Sequence, residues 1–106
     1  MRFLDVCRNP EAEGKPNHPT PFLLVVQGNH VDVSSSRVVV PLVRASTVGK
    51  PIKGLMPVLT VADEPLVMMT PLIAGISTAD IGPAVENLVD RRLDIRTAID
   101  ILTGDL

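Results

Sequence analysis

The 106-residue chain has no tryptophan and no tyrosine, and its only aromatics are Phe3 and Phe22. Platforms that hold single-stranded nucleic acid are built from aromatic faces, so that mode of binding has little to work with. Cysteine is equally scarce. The single Cys7 excludes an internal disulfide and suits a reducing compartment. Positive charge is not in excess either: ten Lys and Arg against twelve Asp and Glu leave a net charge of -2. That balance gives no general electrostatic attraction to nucleic acid. No apolar run reaches the ~20 residues a membrane-spanning helix needs. Asp5 and Arg8 interrupt any apolar core of a secretory leader. These absences predict a cytoplasmic protein without membrane contact, and the length predicts a single domain over residues 1–106.

What is abundant is aliphatic. Val, Leu, Ile and the four Met must build the core. Phe3 to Cys7 reads as a first strand. Asn9 to Pro21 holds Pro10, Gly14, Pro16, Pro19 and Pro21, a density of ring-locked residues that predicts a surface loop with freedom to move. Phe22 to Gln27 is a short strand, apolar on both faces. Gly28-Asn29 signals a turn, Val31-Asp32-Val33 alternates with period two, and Ser34-Ser35-Ser36 is a polar connection. Arg37 to Val43 is the strongest strand signal, with Pro41 marking an edge or a bulge. Ala45 to Gly54 reads as a connection. Leu55 to Val61 and Leu66 to Thr70 read as strands around the turn Ala62-Asp63-Glu64-Pro65, and Leu72 to Ile76 as one more. Short strands at this spacing predict an all-β barrel or a strongly bent sheet.

From about Asp80 the period changes. Ile81, Ala84, Val85 and Leu88 fit a helical stripe, which Arg91 and Arg92 interrupt before it resumes at Ile95. One long helix is one reading. The preferred one is a turn around Gly82-Pro83 followed by a helix from about Arg91 to Leu102, capped by Asp90. Ile95, Ala98, Ile99 and Leu102 stand at i, i+3, i+4 and i+7, giving that helix one apolar face. Burying such a stripe contributes roughly 1.5–3 kcal/mol per large side chain. Arg96 and Asp100 are four apart and suited to pair.

Catalytic and metal-binding patterns are missing. His18, His30 and Cys7 show no ligand spacing, so no metal is expected. The serine run lacks a Gly-x-Ser-x-Gly elbow, and Gly49 and Gly54 have no following Lys-Ser/Thr to cradle a phosphate. Asp63 and Glu64 are neighbours at a turn, whereas acid–base pairs face each other across a substrate. The residues thus predict neither cofactor nor enzyme, but a protein that works by binding.

A set of segments in order carries a resemblance. Met1-Arg2-Phe3 opens the chain. Arg37-Val38-Val39-Val40-Pro41-Leu42 follows, then Leu55-Met56-Pro57-Val58-Leu59, then Met68-Met69-Thr70. Ile81-Gly82 precedes Asp94-Ile95 and Ala98-Ile99. In this order the chain resembles the CcdB family, the toxins of CcdA–CcdB type II toxin–antitoxin pairs, over about residues 1–6 and 22–102. The loop from Asn9 to Pro21 is longer than the family's.

The resemblance implies the fold shared with MazF/Kid toxins: mainly β, SH3-like, with a bent antiparallel sheet, a small second sheet and a C-terminal helix. It implies a homodimer that inhibits DNA gyrase through its A subunit. It further implies neutralisation by a CcdA-like antitoxin, and contact with operator DNA only through the antitoxin complex. Leu24, Val26, Val38, Val40, Leu59, Val61, Met68, Ile95, Ala98, Ile99 and Leu102 become core or near-dimer positions. The gyrase contact would lie at Asp100, Thr103, Gly104, Asp105 and Leu106. Here the sequence departs from the family's Trp-Gly-Ile ending. No alignment of Thr103-Gly104-Asp105-Leu106 supplies an aromatic, and Asp100 stands in place of an Asn. An aromatic anchor is commonly worth ≥ 2 kcal/mol at an interface. Asp105 also places negative charge at the negative end of the helix dipole, which predicts a frayed tip. Two alternatives accompany this reading: a CcdB-fold binding protein that no longer poisons gyrase, and a MazF-like ribonuclease using Arg37 or Arg44 with a nearby Ser or Thr.

Overall fold

The computed structural model describes residues 1–31 and 35–104. Among the described residues, seven strands precede one helix: β1 (Asp5–Arg8), β2 (Phe22–Val25), β3 (Ser36–Arg44), β4 (Val58–Val61), β5 (Glu64–Met68), β6 (Ala74–Ser77), β7 (Ala84–Asn87) and α1 (Arg92–Thr103). They form one antiparallel sheet in the order β4-β5-β3-β2-β1-β7, from which β6 branches by pairing with β3. The fold is therefore mainly β with a C-terminal helix, as expected. The small second sheet is not separate; it is joined to the first through β3.

The nine-residue β3 explains the branch. One edge pairs with β2 from Phe22↔Leu42 to Val25↔Val39. Its other edge changes partner, from β6 over Ser36–Val39 to β5 over Leu42–Arg44. Pro41 lies at the changeover. Its carbonyl accepts from Met69 N at 3.0 Å, so the missing N–H faces the gap between the two partners. A proline inside a central strand is tolerated because no ladder bond is required of it there.

Strand alternation divides the apolar residues between two faces. Leu24, Val40, Leu42, Leu59, Val61, Leu66 and Met68 line the concave face, where Leu4, Val6, Leu88, Ile95 and Ala98 complete a buried cluster. Leu23, Val25 and Val39 point the other way and pack with Cys7 and Ile81. The sheet curls far enough for its ends to meet. The Glu86 carboxylate of β7 accepts from Ala62 N, between β4 and β5, at 3.2 Å. Arg91 donates to the Val58 carbonyl of β4 at 3.3 Å.

Several expectations shift. The β4–β5 turn is two residues, not four: Ala62 and Asp63 both have positive φ, of 51° and 63°, while Glu64 and Pro65 belong to β5. A two-residue loop of that kind matches the twist of its flanking strands. The first half of Leu55–Val61 is a turn rather than strand, and Thr70–Leu72 is a 3-10 turn with Pro71 near its start, so the next strand begins at Ala74. The residues that fit a helical stripe before Arg91 form strand β7, which sets aside the one-long-helix reading and leaves the preferred one, a helix from about Arg91. Ala84 lies opposite Cys7 and Glu86 opposite Val6, leaving Val85 as an extra residue at a bulge. That insertion breaks the period of two and imitates a helical one. Asp90 is not the helix cap. The Asn87 side chain accepts from Val89 N at 2.9 Å, a 3-10 turn spans Val89–Arg91, and α1 starts at Arg92 without a side-chain cap. Asp94, in the first helical turn, pairs with Arg91 at 3.0 Å and favours the positive end of the helix. Of the Val31–Val33 alternation and the serine run, residues 32–34 lie outside the described residues.

Candidate functional site

The apolar stripe of α1 docks into the concave cluster. Ile95 and Ala98 are buried, and Ile99 packs against them, partly exposed. Leu102 is a turn beyond the core and remains 37% exposed. Ile101 is exposed beside it, and its Cδ1 lies against Gly54. Ile52 and Leu93, 57% and 70% exposed, add further uncovered apolar surface. The helix is thus held at its start and middle, while its end presents aliphatic side chains to solvent.

The tip is better defined than the charge argument predicts. Gly104 adopts a left-handed φ of 81° and its N–H reaches the Asp100 and Ile101 carbonyls. This closes the helix in the way glycine commonly does. The Thr103 hydroxyl donates to the carbonyls of Ile99 and Asp100 at 3.1 and 3.3 Å. Fraying is therefore not seen through Gly104; a glycine just after the periodic run was the sequence signal for it. Asp105 and Leu106 lie outside the described residues. Asp100 stands 3.8 Å from Arg96, the expected pair. Asp100, Thr103 and Gly104 come together at one end of the molecule.

The Pro-rich loop is tied to the rest of the chain by several hydrogen bonds. Asn9 joins its two ends: the backbone N–H donates to Pro21 O, the side-chain amide donates to Thr20 O, and the side-chain oxygen accepts from Glu11 N. Arg44 secures the middle, donating to the carbonyls of His18 and Pro16 and pairing with Glu64. Thr20 N donates to His18 Nδ1 at 3.0 Å. Sequence reasoning missed this clasp because its members are 20 to 28 residues apart in the chain.

These contacts bear on the chemical alternatives. The Arg44 guanidinium is committed to protein acceptors, and Arg37 donates to the Ser36 carbonyl at 2.8 Å. Asp63 projects at an exposed turn, while Glu64 faces Arg44. Cys7 is buried, and desolvation, then the Asp5 carboxylate, push its thiol pKa up, away from a reactive thiolate. Among the described residues, no three His, Cys, Asp or Glu converge as a metal site. No described helix is long and apolar enough to cross a membrane.

The curled sheet, the terminal helix and the ordered segments that first suggested a resemblance agree with comparison to known families. A family model described as CcdB protein matches residues 3–104. That match includes the strands, the Pro-rich loop and all of α1. The chain belongs to the CcdB family and is a CcdB-type toxin of the toxin–antitoxin kind.

Proposed function

We propose that this toxin acts as a homodimer that binds the A subunit of DNA gyrase through the end of α1, and that a CcdA-like antitoxin neutralises it. The observation that carries the proposal is the clustering of Asp100, Thr103 and Gly104 at an ordered, exposed helix end. The exposed Ile101 beside them supplies aliphatic area for a partner, and Leu102 is left to the dimer. With no aromatic at the tip, the gyrase contact rests on Ile101 and on Asp100. Operator DNA is contacted only within the antitoxin complex, in keeping with the net charge of -2.

Expression without antitoxin tests the reading. Growth should arrest with cleaved DNA–gyrase complexes accumulating, and deleting Thr103–Leu106 should abolish both effects. Normal growth at verified high levels of folded protein would refute it. That result would favour a second reading, a CcdB-fold binding protein without poisoning activity, which the missing aromatic motivates.

A further inference from the structure

On the face of the sheet that points away from the concave cluster, a cleft of about 460 Å3 lies between the Pro-rich loop and the segment that carries Leu72, Ile76 and Asp80. Volumes of roughly 300–1,000 Å3 are those of small-molecule sites. Strand alternation makes the floor. Leu23 lies opposite Pro41, and Val43, two residues on, shares that face. Pro41 and Val43 are only partly buried, and Leu72 is 56% exposed. The chain thus leaves aliphatic surface uncovered inside a concave site.

We infer that this cleft binds a small aliphatic diamine, one ammonium at Glu11, the other at Asp80, and the methylene chain on the aliphatic floor. Three observations support it. The lining contains two carboxylates, Glu11 and Asp80, and no Lys or Arg. Among the described residues, neither carboxylate has a hydrogen-bond or ion-pair partner. Glu11 belongs to the loop wall and Asp80 to the 3-10 turn Thr78–Asp80 on the other side, so a dication answers both charges and a monocation leaves one unmatched. Second, the other polar side chains of the loop wall are already engaged. The Asn9 amide and oxygen are used at Thr20 O and Glu11 N, and His18 Nδ1 accepts from Thr20 N. What remains for a ligand is chiefly acceptors, and an ammonium is a pure donor. Third, both walls are held before binding. Arg44 donates to the His18 carbonyl at 2.9 Å, and beyond Asp80 the Gly82 N–H donates to Arg8 O at 2.9 Å. Binding need not order them, and the entropic cost is reduced. The inference is independent of gyrase, since no residue of α1 lines the cleft.

The test is titration of the 15N-labelled full chain at neutral pH with a linear eight-carbon diamine, followed by amide chemical shifts. Shifts are expected to concentrate at Asn9, Glu11, His18, Leu23, Ile76 and Asp80. The double variant E11Q/D80N changes only exposed side chains and keeps their size. It should bind about 2- to 30-fold more weakly, the effect of losing two exposed ion pairs. The eight-carbon diol, which keeps the chain and removes the charge, should lose affinity similarly, and added salt should weaken the diamine alone. No shifts at millimolar diamine, shifts centred elsewhere, or equal affinity for E11Q/D80N, for the diol or for the eight-carbon monoamine would each overturn the inference. So would tighter binding of a capped Lys-Leu-Lys peptide, which would make the cleft a site for a protein segment.

Discussion

At the scale of single residues, two positions carry constraints that composition alone does not display. Gly82 donates to Arg8 O at 2.9 Å, and a Cβ built on it would stand 2.7 Å from that same oxygen. The obstacle is backbone, which cannot swing aside. Gly82→Ala should therefore cost about 1–3 kcal/mol in urea unfolding, the range for overpacked sites, with the loss localised to the β1–β7 contact in hydrogen exchange. Cys7 makes a pH prediction. Burial holds its thiol pKa above the ordinary value of 9.0, so the folded state keeps its proton where the unfolded chain releases it. Its contribution is complete below the unfolded pKa and is lost as pH rises toward the raised folded value. Stability should fall more steeply above about pH 9 in the native sequence than in Cys7→Ala. The slope is the readout, because a cavity changes only the level. Equal slopes would show that the thiol is not the titrating group.

Elements differ in how well they declare themselves. The α1 stripe was legible because it repeats over two turns and one buried face decides it. β3 was legible from its β-branched run, but Pro41 marks neither the edge nor the bulge its residue type suggests: it pairs in register with Leu23 and sits where the other edge of β3 changes partner. β7 was not legible, since a single bulge at Val85 overrides local periodicity and only the tertiary partner β1 reveals it. Asp90 was a reasonable cap by residue type, yet it falls inside a 3-10 turn that precedes the helix, and α1 begins without a side-chain cap. The place of the β4–β5 turn was legible but its two-residue length was not, because Ala62 does not favour positive φ and Asp63, which tolerates it, is not the glycine such turns prefer. Asn-Gly suits such a turn far better. The double substitution Ala62→Asn, Asp63→Gly should raise stability by about 0.5–1.5 kcal/mol, read as a higher melting temperature. The Glu86 contact uses the residue-62 backbone N–H and is retained. Within the candidate site, the helix was visible in sequence, whereas its end was expected to fray and is closed by Gly104. The Arg44 clasp was not visible, because nothing local ties Pro16, His18 and Glu64 to one guanidinium.

At the scale of the whole molecule, the folded chain leaves aliphatic surface uncovered along and beyond α1, chiefly Leu93, Ile101, Leu102 and Ile52. A second copy would remove part of it from water. On the proposed homodimer, Leu102→Lys should shift sedimentation-equilibrium mass toward the monomer while leaving the far-ultraviolet spectrum unchanged, since Leu102 lies outside the buried cluster. An unaltered mass would move the interface away from the helix end. The closure of the sheet has a separate consequence, for biosynthesis. Asp5 pairs with Asn87, and the Leu4 carbonyl accepts from Leu88 N, so the first described strand waits for the last before it has neighbours on both sides. A ribosome-bound nascent chain must hold β1 half-paired until β7 has emerged, and throughout that interval Cys7 lacks the strand that later helps bury it. Thiol labelling of stalled chains of increasing length would therefore register the moment the sheet closes.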